Sequence, residues 1–116
     1  MNNTIMLKKN YEFKRLFSKG KFIYGDNIHI YFIITGKEYN KFGIAVSKKN
    51  GKAVIRNHVK RLIREVYKIY EDNVKLGVDI LIIINNKKEA KEINFYDIKN
   101  DMERAFKKAG IWVDWC

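Results

Sequence analysis

The chain contains no proline and a single cysteine, Cys116. One thiol excludes an intramolecular disulfide framework and a cysteine-rich zinc site, and a reducing compartment is expected. Long hydrophobic runs are also missing. The longest aliphatic run, Ile80 to Ile84, is far short of the ~20 residues needed to cross a bilayer. At the start, Thr4-Ile5-Met6-Leu7 runs straight into Lys8-Lys9, which is not the pattern of a secretory signal. A cytoplasmic protein without membrane association is expected. Histidine is scarce as well, with only His29 and His58. They fall on different predicted elements, and neither has a neighbouring acid to orient it, so acid–base cleavage by the chain itself is not expected. Acidic residues are few in the first 70 positions: Glu12, Asp26, Glu38 and Glu65. These four are scattered, which argues against a protein-held metal centre.

What is present is positive charge laid over a real core. The 116 residues make one domain's worth of chain, and 47% apolar with 14% aromatic residues excludes wholesale disorder. There are 24 Lys+Arg against 13 Asp+Glu, a formal net charge of +11. Residues 1–70 carry a net of +12 and residues 71–116 a net of −1. An excess confined to one part of the chain points to a polyanion partner bound there.

Spacing gives a coarse order of elements. Asn10 is a candidate cap for a short helix through Phe13, Leu16 and Phe17, with Gly20 as its end. On spacing alone the two phenylalanines read as core. From Asn27 to Ile34, Ile28, Ile30, Phe32 and Ile34 alternate with His29, Tyr31 and Ile33, which predicts a strand. Phe42, Ile44 and Val46 predict a second strand, paired with the first as a hairpin across Gly36–Asn40. A long helix follows the basic loop Lys48-Lys49-Asn50-Gly51 and runs to about Tyr70. Val78 to Ile84, apolar on both sides except at Asp79, predicts a strand inside the sheet. A last helix starts at Asn94, with Asp97 completing a capping box, and stops at Gly110. The order α-β-β-(β)-α-β-α implies an α+β fold, a two-layer α/β sandwich of a small central sheet and three helices. Trp112 and Trp115 are expected to pack under the last helix.

The long helix carries the functional signal. Ile55, Val59, Leu62, Val66 and Ile69 recur at spacings of four, three, four and three, a stripe that must dock on the sheet. Arg56, Lys60 and Arg64 form an i, i+4, i+8 ladder about 12 Å long, accompanied by Asn57, Arg61 and Lys68. Solvated helix faces ordinarily mix charges. This one has a single acid, Glu65, and therefore suits a phosphate backbone. Asn57 adds a donor and acceptor fit for a base edge or a ribose hydroxyl, or is a plain exposed polar residue.

Phe42-Gly43-Ile44-Ala45-Val46-Ser47-Lys48-Lys49, followed by Gly51-Lys52-Ala53-Val54-Ile55-Arg56-Asn57-His58-Val59-Lys60-Arg61-Leu62-Ile63-Arg64-Glu65, closely resembles the protein subunit of bacterial ribonuclease P. The likeness extends over about residues 5–110 and leaves residues 111–116 as a tail of a single domain. It departs at His58, where that family usually has arginine. The resemblance implies a left-handed βαβ crossover. It implies an RNA subunit that performs the cleavage with divalent metal (magnesium), and no cofactor on the protein itself. Its partners would be that RNA and precursor tRNA, with no membrane and no protein partner required. By motif, Arg56, Asn57, His58, Lys60, Arg61 and Arg64 would face the catalytic RNA. Phe13, Phe17, Tyr31, Ser47, Lys48 and Lys49 would hold the 5′ leader, whose removal leaves the mature tRNA end. Two other readings are a non-catalytic RNA-binding scaffold such as a ribosomal protein, and a protein-only ribonuclease using His29 and His58.

Overall fold

A computed structural model describes residues 3–85 and 88–114. Strand β1 (Thr4–Met6) leads into helix α1 (Asn10–Lys19), then β2 (Lys21–Ile23), β3 (Ile28–Ile34) and β4 (Asn40–Ala45). Helix α2 (Ala53–Tyr70), strand β5 (Val78–Ile84) and helix α3 (Phe95–Ala109) complete the chain, with one-turn 3-10 segments at Lys48–Asn50, Glu71–Asn73 and Ala90–Glu92. The five strands form one mixed sheet in the order β1-β4-β5-β3-β2. Among the described residues no helix is long and apolar enough to cross a membrane.

The expected hairpin between β3 and β4 is not formed. Strand β5 lies between them, antiparallel to β3 and parallel to β4. The reason is its composition: with both faces apolar, β5 loses least to water at the centre of the sheet. The connection between β3 and β4 therefore has to pass over the start of β5. There, Thr35 and Gly36 donate their N–H groups to the Gly77 carbonyl at 2.7 and 3.2 Å. Gly77 has φ of +83°, and a Cβ on it would stand 2.7 Å from the Lys37 carbonyl oxygen, so only glycine fits. The buried Asn40 side chain accepts the Val78 N–H at 2.9 Å and fixes the register.

Alternation assigns the two faces of the sheet. Ile28, Ile30, Phe32, Phe42, Val78, Ile80, Ile82 and Ile84 pack with α2 and α3 into the main core. The helix α2 stripe is Val59, Leu62, Ile63, Val66, Tyr67 and Tyr70, with Ile55 partly buried beside it. Ile69, expected in that stripe, is 52% exposed. At about 100° per residue it lies some 80° from Val59, whereas Tyr70 lies within about 20° and takes the central place. In α3, Asn94 accepts the Asp97 N–H at 2.9 Å and the Asp97 carboxylate accepts the Asn94 N–H at 3.1 Å. Gly110 closes the helix in the left-handed conformation. Trp112 packs edge-on against Tyr70, ring centres 5.0 Å apart; Trp115 and Cys116 lie outside the described residues.

The opposite face is thinner. Leu7, Leu16 and Leu81 are its buried hydrophobic residues, with Phe13, Tyr31, Ile33, Ala45 and Ile83 partly buried around them. Helix α1 alone covers this side. Asn10 is its first residue rather than its cap, because the Glu12 carboxylate accepts the Lys8 and Lys9 N–H groups at 3.2 and 3.1 Å. The Gly20 N–H bonds to the Leu16 carbonyl at 2.9 Å and ends the helix as expected.

Candidate nucleic-acid interface

The basic residues of α2 sit where helical spacing places them. Arg56, Lys60 and Arg64 flank the buried stripe half-exposed, while Asn57, His58 and Arg61 are exposed. Glu65 pairs with Arg61 at 3.8 Å and leaves the Arg56–Lys60–Arg64 ladder without an acidic partner on its own helix. Arg56 is aimed by a bond from its Nε to the Gly51 carbonyl, 3.2 Å. His58 Nδ1 is 3.3 Å from the Arg61 guanidinium. A guanidinium only donates, so Nδ1 accepts and Nε2 carries the proton. His58 thus presents an N–H donor, without the two-pronged fork of an arginine.

A groove of about 410 Å³ opens beside this helix, lined by Phe17, Ala45, Val46, Ser47, Asn50, Lys60, Ile83 and Ile84. Its floor is the end of β4 and β5, and its walls are the last turn of α1 and the flank of α2. Ser47 is oriented by Asn50, whose Nδ2 donates to the Ser47 hydroxyl at 3.2 Å and to its carbonyl at 3.4 Å. Phe17 is 46% exposed, although spacing alone made it core, and meets Tyr31 edge-on with ring centres 5.1 Å apart. Phe13 is turned back into the small cluster under α1. Lys48 is exposed on the 3-10 turn. Lys49 lines a neighbouring cavity with Gly51, Ile55, Lys88 and Lys91. Of the six residues expected at a leader cleft, Phe17 and Ser47 line the groove, Tyr31 stands behind Phe17 through their ring contact, Lys48 is exposed on the turn, and Phe13 and Lys49 lie outside the groove.

Helix α1 can form a wall only if it is held at a fixed tilt. Leu7 packs directly over Gly43, where a Cβ would fall 2.6 Å from Leu7 Cδ1. Lys41 bonds Glu12 at 2.7 Å and Arg15 reaches Asp79 at 3.7 Å. The Lys41 hydrogen bond, helped by the Lys9 N–H, lowers the Glu12 pKa to about 2. Asp79 is driven the other way by burial, which outweighs the nearby Lys41 and Arg15. Among the described residues no three His, Cys, Asp or Glu side chains gather as a metal site.

Sequence reasoning missed Asn50 and the aromatic neighbours of Tyr31. Phe22 and Tyr24 lie on the same side of the sheet as His29 and Tyr31. The alternation of Phe22, Ile23 and Tyr24 carried that signal, in a strand too short to stand out.

The sequence model of the ribonuclease P family matches residues 1–110. The chain belongs to that family. Among ribonuclease P protein components, that of Caldanaerobacter subterraneus subsp. tengcongensis is 37% identical over 108 residues, covering 93% of this chain and 91% of the relative. The solved ribonuclease P protein of Staphylococcus aureus superimposes with a TM-score of 0.81 at 33% identity, covering 92% of this chain and 96% of that one. The ribonuclease P protein of Thermotoga maritima gives 0.80 at 27%, covering 90% and 96%. As a ribonuclease P protein the chain is an RNA-binding subunit, and the ribosomal-scaffold alternative is not favoured.

Proposed function

We propose that α2 binds the RNA subunit of ribonuclease P, and that the groove beside it holds the 5′ leader of precursor tRNA while the RNA subunit cuts. One observation carries this reading: Lys60 belongs to the basic ladder of α2 and also lines the groove with Phe17 and Ser47. A strand leaving the RNA-bound helix therefore meets the groove without crossing an acidic surface. Phe17 and Tyr31 offer π-faces to unpaired bases, and Lys60 with the exposed Lys48 offers charge to phosphates. Stacking of this kind contributes about 1–3 kcal/mol per base. Cleavage is assigned to the RNA subunit with its divalent metal. Two of the carboxylates near the groove, Glu12 and Asp79, are engaged by Lys41 and Arg15. The chain's contribution is to bind and align.

The test is Phe17→Ala in holoenzyme reconstituted with its RNA subunit. Affinity for leader-bearing precursor should fall at least about fivefold, the lower end of one stacked base, with mature tRNA little affected. Equal loss for both substrates would overturn the reading.

A further inference from the structure

Five rings form an unbroken series on the sheet face that α1 leaves open. Phe17 meets Tyr31 at 5.1 Å, Tyr31 meets Phe22 at 5.0 Å, Phe22 meets His29 at 5.0 Å, and His29 meets Tyr24 at 4.6 Å. The β2–β3 register sets Phe22 directly opposite Tyr31. Cross-strand aromatic pairs help hold a short edge strand, and that alone would account for two rings. It does not account for the exposure, since Phe22 is 45% and Tyr24 49% accessible. A monomer seldom leaves a contiguous apolar patch uncovered without a partner for it.

The chemistry of the patch selects that partner. Strands β2 and β3 contain no carboxylate, and Lys19 and Lys21 precede Phe22. His29 Nδ1 accepts the Gly25 N–H at 3.1 Å, so its Nε2 carries the ring proton. Flat rings with a donor among them, on strands free of carboxylates, fit unpaired bases. The series is continuous with the groove at Phe17, and it runs away from α2 across β3 to β2. With strands about 4.8 Å apart, the two steps from β5 at the groove to β2 add roughly 10 Å of surface.

We propose that Phe22, Tyr24 and His29 form a second stacking platform for the leader nucleotides farthest from the cleavage site. This protein would then grip a longer single strand than the groove alone holds. The proposal rests on the groove's being the leader site. Its direction follows from geometry: the leader joins the tRNA beside the RNA-bound helix, so the far end of the series receives its 5′ nucleotides.

The experiment uses holoenzyme with precursor tRNAs whose leaders are lengthened one nucleotide at a time. It compares the unaltered protein, the Phe22→Leu/Tyr24→Leu double variant and Phe17→Ala. Leucine keeps the apolar cover of the sheet and removes the π-faces. The unaltered protein should keep gaining affinity beyond the length at which the double variant levels off, ending at least about fivefold tighter. If both level off at the same length, the platform does not exist. Phe17→Ala separates the two readings. If it loses nothing on leader-bearing substrates, the groove itself is refuted. If it loses affinity while the double variant matches the unaltered protein, only the platform is. Abasic nucleotides at the 5′ end of a long leader test the same point in the unaltered protein. Affinity should fall by a similar factor in holoenzyme and not with the RNA subunit alone, and no fall in holoenzyme would overturn the proposal.

Discussion

Replacing Glu12 by glutamine tests whether α1 is held over the sheet by charge as well as by packing. The carboxylate takes a 2.7 Å bond from Lys41 and two backbone N–H bonds from Lys8 and Lys9. Its side chain is only 12% exposed, so solvent screens the pair weakly. The Lys41 bond first, and the Lys9 N–H second, lower its pKa from 4.5 to about 2. At about 1.36 kcal/mol per pH unit, a depression of that size caps the advantage of the ionised form at roughly 3 kcal/mol at neutral pH. Glutamine still accepts from the two backbone groups and leaves Lys41 partly in water, so a loss of about 1–2 kcal/mol is expected. For a domain of this length that lowers Tm by roughly 4–8 °C. The folded-state pKa lies below the unfolded one, so the contribution is present above pH 4.5 and is lost as pH falls through about 2. The gap between unaltered protein and variant should therefore shrink to less than half by about pH 3. Thermal unfolding followed by circular dichroism at neutral and acid pH measures both. No gap at neutral pH, or an equal gap at the two values, would refute the argument.

Asp79 should behave oppositely. Burial raises its pKa above 3.8 despite Lys41 and Arg15, so its share of stability is greatest below that value and declines as pH rises through the folded-state pKa. Asp79→Asn is expected to leave Tm unchanged or raise it slightly at neutral pH, and a clear fall in the same unfolding assay would show that the Arg15 pair outweighs burial. On α2, Arg64→Ala should make the log–log dependence of RNA-subunit affinity on salt shallower by about 0.7–0.9, the share of one neutralised phosphate. A slope identical to that of the unaltered protein would place Arg64 away from the RNA.

The parts of this protein legible in the sequence are those set by local periodicity. Helix α2 runs from Ala53 to Tyr70 and α3 is bounded by Asn94 and Gly110, because caps and a 3.6-residue stripe are short-range signals. Strand β5 declared itself by being apolar on both faces. The misplaced hairpin shows the limit, since pairing β3 with β5 rather than β4 is decided by residues some 50 positions apart, such as Tyr31 and Leu81. Strands β1 and β2 have three residues each, too few for alternation to register. Phe17 is the sharpest case at the site. Its i, i+4 relation to Phe13 describes both as core, and only the tilt of α1 decides that Phe13 turns inward and Phe17 faces the groove.

That tilt explains how the protein can carry an open binding face without losing its fold. Nearly all of the large buried side chains, from Ile28 and Phe42 to Tyr67 and Phe106, lie between the sheet and the α2–α3 layer. Stability is concentrated there, and the same packing fixes the flank of α2 that bears Arg56, Lys60 and Arg64. Among the described residues the hydrophobic side chains buried on the other face are Leu7, Leu16 and Leu81. It can leave Phe17, Phe22 and Tyr24 exposed because the sheet beneath them is already secured from behind. Helix α1, with so little core of its own, depends on Glu12–Lys41 to keep its last turn beside the groove. Loss of that pair should therefore weaken the grip on a single strand before it unfolds the domain.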